Sequence, residues 1–243
     1  MPRIANDEKI IREMSNDTEL SENVHKKLYP KFVKYKYSYN FSWLGVPIIQ
    51  LPQDVMALQE IIWDVKPDLI IETGVAHGGS LIFHASLLRL LGGVRKVVGI
   101  DIDIREHNRE IIVNHPLSSE IILVDGSSVA DDTFEKVQDI SKGFEKIMVI
   151  LDSNHTHSHV LKELEMYSSL VDKGSYLVVM DTVIEDLDND SFPQRSWGKG
   201  DNAKTAVWEF LKKNGRFEID HFVENKLVMT ACPDGFLRCI KDL

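Results

Sequence analysis

The chain has 243 residues, 43% of them hydrophobic and 27% charged, which suits a well-filled globular fold and excludes wholesale disorder. Its 38 acidic against 28 basic side chains give a net charge of −10, so it lacks the concentrated positive charge that a phosphate backbone demands, and nucleic acid is disfavoured as a partner. Two cysteines are too few for a disulfide framework or a Cys-based zinc module, no run approaches the roughly 18 apolar residues of a membrane span, and the charged start has no apolar signal core; the expectation is a cytoplasmic protein acting on a small molecule.

In chain order, residues 4–14 have the apolar spacing of a short amphipathic helix. Residues 26–39 follow, with Tyr29, Phe32, Tyr35, Tyr37 and Tyr39 set among lysines. Such rings can stack on bases, but the acidic balance favours an arm that packs them onto the body of the protein or onto a second copy, as in a homo-oligomer. Residues 1–52 therefore read as an N-terminal extension and arm, and residues 53–243 as the main domain.

From residue 53 helix and strand signals alternate. Residues 54–65 carry apolar residues at helical spacing and are ended by Pro67; residues 68–72, Asp-Leu-Ile-Ile-Glu, read as a buried strand. A helix over 78–91, closed by Gly92-Gly93, precedes a strand over 96–100. A helix over 105–114 precedes a strand over 120–124, and a helix over 129–140 precedes a strand over 146–151. A helix over 157–171 then leads to a strand over 176–180. A last helix over 203–213 is followed by two or three strands between residues 217 and 240. Short continuous apolar strands alternating with helices predict an α/β fold: a mostly parallel, seven-stranded, Rossmann-like sheet covered on both faces. Residues 185–202 lack periodicity and read as an active-site loop or lid.

Four of the first five strands run into an aspartate, Asp101, Asp125, Asp152 or Asp181, and the other ends at Glu72-Thr73-Gly74. Ligands bind outside the carboxyl ends of strands in open α/β sheets, so these acids are expected to share one rim. The first turn, residues 72–80, is glycine-rich but is neither the dinucleotide fingerprint nor a Walker A loop, since Val75-Ala76 follows Gly74 and no Gly-Lys-Ser/Thr is present. Asp101 stands at the end of the second strand, where an acid commonly accepts from ribose hydroxyls. Asp125-Gly126-Ser127 is placed to reach an adenine edge.

This layout resembles that of class I S-adenosylmethionine-dependent methyltransferases, whose cofactor carries no phosphate. The segments Trp43-x-Gly45-x-Pro47, Pro67-Asp-Leu-Ile-Ile-Glu-Thr-Gly74, His77-Gly-Gly-Ser80, Gly99-Ile-Asp-Ile-Asp103, Leu151-Asp-Ser-Asn-His155 and Gly235-Phe-Leu-Arg238 look like the cephalosporin hydroxylase family over about residues 40–240. That family is similar to metal-dependent O-methyltransferases acting on sugar hydroxyls of natural products and glycolipids. The resemblance implies O-methyl transfer to the hydroxyl of a small molecule, with cofactor binding by Glu72, Gly74, His77, Gly78, Ser80, Asp101, Asp103, Asp125 and Ser127.

It also implies a magnesium ion held by Asp152 and by an acid pair after the fifth strand. Here the pair falls on Met180-Asp181, so Asp181 matches and Met180 departs, a thioether being a poor magnesium ligand. Thr182, Glu185, Asp186, water or substrate could complete an oxygen set. By the same resemblance His155 is the base on the acceptor hydroxyl, with Asp152 beside it as a catalytic residue. A neutral imidazole can take a proton near pH 7. His157 and His159 complete a His-Thr-His-Ser-His run, which reads better as the start of a helix than as a zinc site. Two other readings stand beside this one. An oxidoreductase, as the family name suggests, finds neither a dinucleotide fingerprint nor a clear triad of two histidines and an acid. A non-catalytic partner protein with the same fold is left open by Met180.

Overall fold

The computed structural model describes residues 5–188 and 191–243. Residue 4 of the first predicted helix and residues 189 and 190 of the predicted loop lie outside them. Helices α1 (Ala5–Ser15), α2 (Thr18–Glu22) and α3 (Tyr29–Lys34), the last entered through a π-helical turn at Asn23–Leu28, lead to a hairpin of β1 (Phe41–Trp43) and β2 (Val46–Ile48). Then follow α4 (Pro52–Val65), β3 (Leu69–Thr73), α5 (Gly79–Leu91), β4 (Lys96–Asp101), α6 (Glu106–Val113), β5 (Ile121–Asp125), α7 (Asp131–Ser141), β6 (Ile147–Leu151), α8 (His157–Tyr167) and β7 (Tyr176–Val179). The chain closes with α9 (Ala203–Lys213), β8 (Phe217–Ile219), α10 (His221–Leu227) and β9 (Phe236–Cys239).

β3 to β9 form one seven-stranded sheet in the order β5-β4-β3-β6-β7-β9-β8. Pairings among β3, β4, β5, β6 and β7 are parallel, and β9 runs antiparallel to both its neighbours. Successive strand residues feed opposite cores. Ile70, Val97, Met148 and Val178 meet Leu58 and Ile62 of α4 and Leu81 and Ile82 of α5. Leu69, Ile71, Val98 and Val149 meet Val137 of α7, Leu164 of α8 and Val207 of α9. This double burial is why the strands are apolar throughout, as a sheet covered on both faces requires.

The N-terminal segment shares the first of these cores. Val24, Tyr29, Val46 and Ile48 are buried in the same cluster as the sheet. Phe32 stacks on Tyr37 at 4.1 Å, and Tyr35 and Tyr39 face outward. The hairpin, which the sequence pattern did not signal, packs against the first turn of α5 so tightly that a Cβ on Gly79 would lie 2.1 Å from the Pro47 carbonyl oxygen.

Two strands form from residue 217 onward, within the two or three expected, and between them Asp220 accepts from the Phe222 N–H and starts α10, a helix the sequence pattern did not signal. One other element differs in length from its prediction. The helix predicted to reach residue 171 stops at Tyr167, where a 3₁₀ turn takes over and Ser169 Oγ donates to the Met166 carbonyl.

Asp54 of α4 is wholly buried under the C-terminal segment and accepts from Thr230 Oγ1 at 2.5 Å and from the Ala231 N–H at 2.8 Å. Burial outweighs these bonds and raises its pKa from 3.8 to about 7. The folded state thus keeps a proton that the unfolded chain has released by about pH 4. Its stabilising contribution is complete below about pH 4, falls as pH rises to about 7 and is gone above that. Asp54→Asn imitates the protonated acid, and thermal unfolding between pH 4 and 8 is expected to follow a visibly flatter pH dependence in this variant than in the wild type.

Candidate active site

The strand order reverses between β3 and β6, the position at which open α/β sheets bind ligands. The backbone is drawn close there. Gly74 has φ +90°, and a Cβ on it would lie 2.0 Å from the Asp152 carbonyl oxygen, so only glycine fits. The Asp152 N–H donates to the Thr73 carbonyl at 2.9 Å, and the Met180 N–H to the Leu151 carbonyl at 2.9 Å. These bonds bring the ends of β3, β6 and β7 level.

A small cleft opens above this point, lined by Glu72, Gly74, His77, Gly78, Ser80 and Asp152, with Pro47 to Gln50 covering one side. Six of the sequence-predicted residues therefore meet in one place. Ser80 Oγ donates to Glu72 Oε1 at 2.5 Å, and His84 Nε2 lies 2.9 Å from Glu72 Oε2, without the alignment of a hydrogen bond. His77 Nδ1 is 3.5 Å from Oδ1 of the buried Asn108, whose Nδ2 donates to the Ala76 carbonyl.

The remaining predicted cofactor residues lie along the rim, outside this cleft. Asp101 Oδ2 accepts from the Val75 N–H at 2.8 Å and its Oδ1 from the Asp103 N–H at 3.0 Å, so its first task is to tie the glycine turn to β4. The Asp103 side chain is exposed. Asp125 is exposed and ion-paired with Arg109, and the Ser127 carbonyl accepts from the Ala130 N–H.

On the other side of the crevice, Asp152, His155 and Asp181 converge, with ligand atoms of all three within 4.8 Å of one another. Asp181 has φ +56°, a left-handed bend that turns the chain out of β7. His155 Nε2 lies 3.1 Å from Asp181 Oδ2. Asp152 keeps a narrow opening to the cleft but is walled in by protein. That burial, with the charges of Asp181, Glu72 and Glu163, holds its pKa well above the usual carboxylate range. Two carboxylates and an imidazole so arranged suit a divalent cation, which offsets their repulsion. Met180 takes no part: it is buried, with Sδ 3.3 Å from Cys232 Sγ.

The other histidines of the run go elsewhere. His157 bridges to α9 through Thr205 Oγ1 at 2.8 Å and Glu209 Oε2 at 3.2 Å, and His159 Nε2 sits 3.1 Å from both Ser128 Oγ and Ser153 Oγ. The predicted loop does reach the site. Trp197 packs edge-on against the His155 ring at 5.4 Å and against Phe192 at 4.9 Å, and Glu185 pins the far end of the loop by accepting from the Gly200 N–H and Asn202 Nδ2. Trp197, His84, Asn108 and Gln50 are site neighbours that sequence reasoning did not single out. No local motif marks them, and only the fold brings them in.

Residues 35–240 match the family described as rhamnosyl O-methyltransferase/CmcI. Similar curated proteins include the rhamnosyl O-methyltransferases of Mycobacterium tuberculosis (strain H37Rv) and Mycobacterium leprae (strain TN). Each is 29% identical over 219 residues and 90% of this chain, covering 84% and 90% of the respective relative. Among solved structures, CmcI without ligand and CmcI with magnesium and S-adenosylmethionine both align with a TM-score of 0.59 at 20% identity, over 84% of this chain and 77% and 78% of theirs. Fold and site define a class I S-adenosylmethionine-dependent O-methyltransferase. The chain belongs to the rhamnosyl O-methyltransferase/CmcI family.

Replacing Asp101 by alanine strands the buried Val75 N–H and is expected to cost about 1–3 kcal/mol of stability, read by urea unfolding. The same variant is expected to bind S-adenosylhomocysteine at least about tenfold more weakly by calorimetry, the equivalent of about 1.4 kcal/mol.

Proposed function

We propose that the protein methylates a hydroxyl of a sugar-bearing small molecule, with Asp152, Asp181 and His155 as its reaction centre and a divalent metal, magnesium by preference, as its helper. The observation that carries this reading is the convergence of those three side chains at the edge of the glycine-turn cleft. The family membership and the rhamnosyl acceptor in the relatives' names support a pyranose hydroxyl as the target.

The cofactor would supply a methyl group on a sulfonium sulfur, and a magnesium ion held by Asp152 and Asp181 would supply positive charge that lowers the pKa of the acceptor hydroxyl. The chain's own residues do the rest. Glu72, Gly74, His77, Gly78 and Ser80 line the cofactor cleft, while Asp101 supports its turn and offers spare lone pairs to a ribose. Asp103, Asp125 and Ser127, outside the cleft, would meet the adenosine end of the cofactor. Asp181 Oδ2 lies 3.1 Å from His155 Nε2, and its charge favours the imidazolium that His155 becomes on taking the proton of the acceptor hydroxyl. With the cofactor bound, the acceptor oxygen would take the methyl carbon as the carbon–sulfur bond opened, its electron pair left on sulfur. Trp197 and Phe192 wall the acceptor side with aromatic surface suited to the apolar face of a sugar ring. Much of the rate comes from holding oxygen, methyl and sulfur in line. One histidine with two acids is also the reverse of the two-histidine, one-acid set of iron oxygenases, which favours methyl transfer over oxidation.

Two free, buried thiols suit a cytoplasmic setting, and the exposed Tyr35 and Tyr39 of the arm are candidates for a homo-oligomer contact. No helix among the described residues is long and apolar enough to cross a membrane.

The test is formation of S-adenosylhomocysteine and of an acceptor heavier by one methylene when the protein meets S-adenosylmethionine, magnesium and an aryl α-L-rhamnoside. His155→Ala is expected to lower kcat by about 100-fold or more with S-adenosylhomocysteine affinity unchanged; equal loss of both would contradict a base. Chelation of divalent metal is expected to lower turnover at least tenfold, with recovery on adding magnesium. Turnover indifferent to chelator would remove the metal from the account.

A further inference from the structure

Gln50 is out of place by composition. It follows Pro47-Ile48-Ile49, precedes Leu51 and is 4% exposed, yet neither its Oε1 nor its Nε2 has a hydrogen-bond partner among the described residues. Burying an amide without partners costs on the order of 1–3 kcal/mol, whereas leucine or methionine would fill the same space without that cost. Gln50 lines the cofactor cleft, on the side opened by the glycine turn.

The hairpin sets it there by resting on the first turn of α5, with the Pro47 carbonyl against Gly79. That turn is itself a waiting donor. α5 has 13 residues, and its N-cap is Gly78, which has no side chain to cap the first N–H groups. No lysine or arginine is among the described residues that line the cleft, so an anionic group bound in it must rely on these amides. The same cleft carries Glu72 and Asp152, which suit a cation. A group that both accepts and donates, with carboxylate and ammonium a few bonds apart, satisfies this set. The methionyl end of the cofactor has that chemistry.

We propose that Gln50 is a cofactor-binding residue, whose carboxamide holds the amino-acid end of S-adenosylmethionine against the N-terminus of α5. This rests on the cofactor assignment above and adds to it a residue from outside the sheet, so that the hairpin and the glycine turn grip the ligand together. Gln50 positions the cofactor and does not touch the reacting hydroxyl.

The test compares wild type with Gln50→Leu, which keeps the volume and removes the amide. Two ligands are titrated: S-adenosylhomocysteine, and 5′-methylthioadenosine, which lacks the amino-acid end. The variant is expected to lose at least about tenfold in affinity for the first and none for the second, while the melting temperature of the ligand-free protein stays level or rises because a buried unpartnered amide is gone. An unchanged affinity for S-adenosylhomocysteine, or an equal loss for both ligands, overturns the proposal. A wild-type protein that binds neither ligand overturns the cofactor assignment itself.

Discussion

Asp152 is held where a carboxylate is least comfortable. Protein surrounds it on most sides, and Asp181, Glu72 and Glu163 all press on it with like charge. Nothing in the backbone lets it retreat, because the glycine turn and the Asp152 carbonyl are in contact closer than any Cβ would allow. Such a cluster gains stability from positive charge placed among its members. The proposed reaction brings charges of that kind: a sulfonium, a divalent cation and an imidazole that becomes cationic as it takes a proton. Much of the site's chemistry follows from that single crowded point.

The rest of the rim is quieter, and the contrast explains how one sheet edge is divided. Asp101 spends its oxygens on the N–H groups of Val75 and Asp103, and Asp125 is ion-paired with Arg109. These acids shape and support the turn side of the crevice. The uncompensated charge gathers at β3, β6 and β7, beside the aromatic wall of Trp197 and Phe192. The acids of the rim thus divide: those at β4 and β5 are engaged with N–H groups and Arg109, and those at β6 and β7 cluster with His155.

Much of this was legible in the sequence. Double burial writes the β3 to β7 strands as largely apolar runs, and their ends can be read from the acids that follow, so the sheet and the rim are both legible in the residues themselves. His155 and Asp181 were singled out by resemblance, in separate roles, and the fold sets them 3.1 Å apart. What escaped was set by tertiary contact. The hairpin at 41–48 is short and holds its place by packing on α5; α10 forms because Asp220 caps it; Gln50 is remarkable only for being polar where its neighbours are not, which matters once it is known to be buried. Met180 stood in the sequence as a defect in a ligand pair. In the fold it is a core residue against Cys232, and the two carboxylates that remain already form the cluster with His155.

The central claim is that Asp152, Asp181 and His155 form a metal-assisted methyl-transfer site beside a cleft that holds the cofactor. The most direct measurement is a crystal structure of the protein grown with S-adenosylhomocysteine and manganese, using the anomalous signal to locate the ion. The account predicts manganese between Asp152 and Asp181, with the homocysteine sulfur pointing toward it from the glycine-turn cleft. Manganese bound elsewhere, with the three side chains unchanged and the cofactor product outside that cleft, would contradict it.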